Sequence, residues 1–124
     1  MNRFINYTIA FLWIYQGLIP KLIFINKVEI AIWQWLGLSY ELAIDAGRAS
    51  GICEIIFGLC FIFLQNKFLH YLNIVSMVGL FLLVLIIFPN ALTQAFNPVV
   101  MNTAMIALSI AWLKCDESAN YVGQ

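Results

Sequence analysis

Apolar residues run almost unbroken from Phe4 to Phe24, from Ser39 to Leu64, from Phe68 to Phe88 and from Pro98 to Leu113, with polar residues gathered at the junctions. Helices of roughly 17–25 apolar residues match the hydrocarbon thickness of a bilayer, so the pattern predicts four membrane-crossing helices. The first run is too long for the core of a signal peptide and no small-residue cleavage site follows it, so it is expected to stay as a membrane segment. Asn26 to Leu38 is apolar but interrupted by Asn26, Lys27, Glu29 and Gln34, and it carries Trp33 and Trp35. Such a stretch predicts a short interfacial helix anchored by its indoles. The punctuation agrees with these boundaries. Gly37 is a stop, Ser39 an N-cap with Glu41 in the first turn, Gln65 to Lys67 a tight inner turn, Pro89-Asn90 an end, and Asn97-Pro98 a cap followed by a first-turn proline. Pro20, which cannot donate to the carbonyl of Gln16 and follows Gly17, predicts a kink. The expected fold class is an all-α membrane protein, a four-transmembrane-helix bundle with a short interfacial helix between helices 1 and 2, in a single domain over residues 1–124.

Composition supports this and removes some alternatives. The 124 residues are 64% hydrophobic and 10% charged, with a net charge of zero, so there is no basic patch to attract nucleic acid. The partner implied by the pattern is the lipid bilayer. Cys53 and Cys60 are about 10 Å apart along one helix, beyond the span of a disulfide. Buried cysteine is read as a small hydrophobe, and the lack of a Cys-x-x-Cys pair argues against a membrane thiol oxidoreductase. A single histidine excludes bis-histidine haem and paired Glu-x-x-His iron sites by ligand count, and no metal site is expected.

The candidate chemistry centres on Glu54, which lies about 15 Å from the helix end at Leu64. That depth is the midplane of a bilayer about 30 Å thick. Gly47, Gly51, Glu54 and Gly58 share one helix face, a seam that lets another backbone come close, and Gly17 is the matching small residue on the first helix. Gln16, Ser76 and Asn102 fall in the same slab by their rise along the helices. A carboxylate at this depth stays neutral unless a base reaches it. Glu54 is therefore expected either to hydrogen-bond near Gln16 or Asn102, or to bridge to Lys21 through the kink at Pro20. Lys21 itself either snorkels to headgroups or points inward.

Lys21, Asp45 and Arg48 stand at one depth near the outer surface, with Asn97 at the same end, and are expected to form an outer polar layer. Asp45 and Arg48, three apart, can pair on the helix surface. His70, one turn into the third helix, reads as an interfacial polar anchor, and Ser76 as a hydroxyl bonded to its own backbone. The positive charges divide evenly between the two sides, Arg3, Lys67 and Lys114 against Lys21, Lys27 and Arg48, so charge alone leaves orientation a tie.

The phrases Trp13-Ile14-Tyr15-Gln16-Gly17-Leu18-Ile19-Pro20-Lys21-Leu22 and Gly51-Ile52-Cys53-Glu54-Ile55-Ile56-Phe57-Gly58, with Phe96-Asn97-Pro98 before the last helix, resemble the DoxX-like membrane protein family over essentially the whole chain. The resemblance implies a four-helix bundle in the cell's inner membrane with both termini cytoplasmic. It also implies that Gly17, Lys21, Gly51, Glu54 and Gly58 are the characteristic positions. The family takes its name from a small membrane subunit of a thiosulfate-quinone oxidoreductase, and relatives are associated with redox and sulfur metabolism. By that resemblance alone a quinone is an implied cofactor and a redox enzyme subunit an implied partner; nothing in the chain itself specifies a cofactor.

No complete catalytic set is present, so at most the chain is a subunit of an oxidoreductase. Three functions compete. The first is a membrane anchor subunit of a quinone-linked redox assembly. The second is a small proton-coupled transporter or ligand-binding bundle with Glu54 as the ion-binding acid. The third is a structural bundle in which Glu54 is a satisfied polar group. The sequence does not name a substrate and leaves a homo-oligomer open.

Overall fold

A computed structural model describes residues 2–95 and 97–123. The molecule is an all-α membrane protein. Its elements are α1 (Asn2–Gly17), continued by a π-wound segment (Leu18–Ile23), then α2 (Lys27–Trp35), α3 (Tyr40–Phe63), α4 (Lys67–Ile87), a short 3-10 helix (Pro89–Thr93) and α5 (Pro98–Val122). Helices α3, α4 and α5 are each long and apolar enough to cross a membrane. The first helix with its π-wound end runs from Asn2 to Ile23, and together with α2 it makes a fourth candidate span, bent by 86°. Many large apolar side chains, among them Phe11, Ile56, Phe63, Val75 and Ile86, face outward, as lipid contact requires.

Where the chain expects a kink at Pro20, it adds a residue to the turn. Phe24 donates to the Ile19 carbonyl at 2.9 Å, a bond five residues back. The wider winding carries the proline ring, which has no N–H to offer, away from the carbonyl it would otherwise strike. The caps fall where the sequence places them. Ser39 Oγ accepts from Leu42 N at 3.4 Å, and Asn97 Oδ1 accepts from Val99 N and Val100 N at 3.0 and 3.3 Å. Gly37 ends α2 with φ of 97°. Around it Leu38 donates to Trp33 O and Gly37 to Gln34 O, which closes the helix with two otherwise orphaned carbonyls satisfied.

One boundary differs. The last helix does not stop at Leu113 but continues to Val122. The polar residues after Leu113 mark the exit into water and do not break a helix, since no glycine or proline occurs before Gly123. Within the extension, Ser118 Oγ donates to Lys114 O at 3.0 Å, and Asp116 pairs with Lys67 at 3.0 Å.

The contacts fall into two compact units, Tyr7–Leu64 and residues 2–6 with 65–123. In the first, α3 presents the buried positions Ala43, Gly47, Gly51, Gly58 and Phe61 along one face. A Cβ on Gly58 would lie 2.9 Å from the Ala10 carbonyl and 2.8 Å from Ile14, so α1 and α3 touch backbone to backbone there. Trp13, Phe57 and Phe61 then stack edge to face at 5.0 and 5.2 Å. In the second unit α4 packs on α5, with Met77 and Met105 fully buried.

Candidate functional site

Three elements meet in the Tyr7–Leu64 unit around one ammonium group. The π-wound segment turns Lys21 toward α3, and Gly51 lets its stem lie against the helix, since a Cβ there would stand 2.9 Å from Lys21 Cβ. Lys21 Nζ reaches Glu54 Oε1 at 2.6 Å and Glu29 Oε1 at 3.0 Å. It also donates to Ser50 Oγ at 3.2 Å. The Ser50 hydroxyl lies 2.9 Å from both Glu29 Oε1 and the Gly47 carbonyl. The side chains of Lys21, Glu54 and Glu29 are only 11%, 12% and 19% exposed. The site is thus one amine, two carboxylates and a hydroxyl, mostly removed from solvent.

The remaining predicted residues take other places. Asp45 and Arg48 pair at 4.0 Å on the surface of α3, with their side chains 74% and 52% exposed, while the Lys21 ammonium is committed to Glu54, Glu29 and Ser50. Asn97 spends its amide on the cap and on the Gln94 carbonyl at 2.8 Å. Asn102 is buried and donates to the Met77 carbonyl at 3.4 Å, clamping α5 to α4. Gln16 Oε1 and Glu54 Oε2 are buried without a hydrogen-bond partner among the described residues. Gly17 meets the Gly51 carbonyl, and Gly47 gives room to Glu29 Cγ at 3.8 Å.

Glu29 is the member that the sequence reading misses. It lies in the stretch read as interfacial, and only the sharp bend before α2 folds it back onto Lys21. Ser50 carried a legible signal, because it lies four residues before Glu54 on the same face. Beside these groups Pro20, Lys21, Asn26, Glu29 and Ala43 line a recess with room for about one water molecule.

A second polar cluster lies in the other unit and corrects the reading of His70 as an interfacial anchor. His70 is fully buried. Its Nε2 donates to Asn6 Oδ1 at 3.0 Å, which leaves Nδ1 to accept from the Ser109 hydroxyl at 3.2 Å. Asn73 donates to Ser109 Oγ at 2.8 Å and to the Met105 carbonyl at 3.2 Å. The indole of Trp112 stacks on the imidazole at 4.1 Å and 17°. Asn73, three residues after His70, takes the interior position, while Ser76 is half-buried.

The DoxX-like family model covers residues 10–110, a stretch that includes Lys21, Glu29, Ser50 and Glu54. The chain belongs to the DoxX-like family. No curated protein and no solved structure matches this DoxX-like chain.

Proposed function

We propose that the protein is the membrane subunit of a redox-linked assembly in the inner membrane, with both termini cytoplasmic, and that Lys21, Glu29, Ser50 and Glu54 form its working site for a proton or a small polar ligand. The observation that carries this reading is a single ammonium shared by two carboxylates among apolar helices. Ionisable groups inside a membrane commonly mark ion and substrate paths. Stability alone does not call for them, since buried ion pairs are often replaced by apolar residues without loss.

The cluster consists of acids, an amine and a hydroxyl, which hold protons and donate hydrogen bonds. None of them carries electrons, so in this reading electron transfer belongs to a partner subunit. The family resemblance implies a quinone, but the recess beside the cluster admits about one water molecule and does not fit a quinone ring. Quinone chemistry is therefore left to the partner, and no step is routed through it.

The test is purification in a gentle detergent with an absorption spectrum of the product. A redox-active subunit that copurifies supports the proposal. A lone, colourless chain that moves protons in vesicles replaces it with a proton-coupled carrier, a reading favoured by the unequal charge of the cluster. A lone chain that moves none leaves a structural bundle.

A further inference from the structure

The charges around Lys21 do not balance. Lys21 supplies one positive charge against the two carboxylates of Glu29 and Glu54, and Ser50 supplies none. Among the described residues no other base pairs with them. Residues 7–17 of α1 carry no charged side chain, Lys27 at the start of α2 is exposed, and Arg48 of α3 is turned to Asp45 at the surface. Two carboxylates bound to one ammonium lie within the roughly 4–6 Å over which like charges oppose each other's ionisation. Glu54 Oε2 and Gln16 Oε1 are also buried oxygens that receive no donor among the described residues. Their residues stand where α1 meets α3, for a Cβ on Gly17, next to Gln16, would lie 3.1 Å from Glu54 Cβ.

We propose that the cluster holds one proton, shared between the carboxylates of Glu29 and Glu54 around the Lys21 ammonium, and that Glu29 exchanges it with water. This rests on the cluster being the working site and names its occupant. Glu29 is the more exposed of the two acids and lines the one-water recess together with Lys21 and Asn26, whereas the free oxygen of Glu54 is sealed. In the uptake step a hydronium ion delivers its proton to a Glu29 carboxylate oxygen, giving a carboxylic acid and water, and no electrons move. The bound proton brings the cluster to neutrality, the state that an apolar surrounding favours.

Infrared spectroscopy of the purified chain in lipid nanodiscs tests this without a mutation. The chain has six acids, and the other four, Glu41, Asp45, Asp116 and Glu117, are exposed or ion-paired. The expected result is one protonated-carboxyl band per chain at neutral pH that shifts as soon as D2O is added. Glu29→Gln and Glu54→Gln should each abolish it, because either leaves one acid with one base, and Lys21→Met should roughly double it. Absence of the band from the parent chain overturns the proposal, and so does a band that survives in both glutamine variants. A band removed by sodium or potassium chloride at constant pH assigns the site to an alkali cation and overturns it as well. A band that resists deuteration until the protein unfolds removes Glu29 as the exchange route. The spectrum is read on the chain itself, so failure to copurify a partner and failure to find the proton are separate outcomes.

Discussion

The Gly17 carbonyl oxygen lies 2.7 Å from where a Cβ on Gly51 would stand, and the Gly51 carbonyl presses still closer on Gly17. The two helices therefore meet through backbone, just before α1 begins its π-wound turn. Gly17→Ala and Gly51→Ala should each destabilise the protein, with overpacking of about 1–3 kcal/mol outweighing the gain in helix propensity. Gly79→Ala is the internal control. Nothing lies within 4 Å of a Cβ there, so it should leave stability unchanged or raise it by up to about 1 kcal/mol. Thermal unfolding of the three variants in one detergent checks the order, and equal effects would remove the close contact as the cause.

Truncation of the ion-pair cluster should be asymmetric. Lys21→Met leaves two mostly buried acids without a base and should cost up to roughly 3–5 kcal/mol, the range for breaking a fully buried pair, less whatever is recovered by protonation and residual solvent. Glu54→Gln or Glu29→Gln leaves Lys21 with one acid still in place and should cost distinctly less. A double-mutant cycle between Lys21→Met and Glu54→Gln measures the coupling, and additivity within about 0.5 kcal/mol would dissolve the pair.

The Ser109 hydroxyl both accepts from Asn73 and donates to His70. Ser109→Ala removes one hydrogen bond from each of two buried residues, His70 and Asn73, and a loss of about 1–3 kcal/mol is expected. His70 is the only histidine, so nitrogen-15 labelling of histidine gives a one-residue spectrum. The neutral ring is expected to carry its proton on Nε2 in the parent chain, and the Nδ1 resonance should move in Ser109→Ala. An Nδ1–H tautomer would reverse the direction of this chain of hydrogen bonds.

Orientation has its own check. With Cys53, Cys60 and Cys115 replaced, a cysteine at Asn66 should resist an impermeant reagent added to intact cells, and one at Thr93 should react. The opposite labelling inverts the proposed topology.

The helix boundaries are legible because apolar runs and capping residues are local facts, and α3, α4 and the start of α5 fall within a residue of their expected ends. Helical rise also placed Lys21 near enough to Glu54 for a bridge to be one of the open choices. Glu29 was hidden because its role depends on a bend of 86°, whose magnitude no local pattern specifies. The His70 cluster was hidden for a related reason, since its partners stand 39 and 64 residues away along the chain. Counting depth along each helix also favoured Ser76, whereas counting by face groups His70 with Asn73 and Met77.

The π-wound segment has a consequence for how this site tolerates change. A helix turns by about 100° per residue, so the extra residue between Leu18 and Ile23 sets the azimuth of Lys21 and of everything that follows it. Point substitutions upstream, Pro20 apart, alter contacts but leave that phase intact. A deletion or insertion of one residue anywhere from Trp13 to Pro20 changes the phase and swings the lysine off the glycine face altogether. Away from the contact at Gly17, the site is therefore more tolerant of substitutions in α1 than of changes in its length.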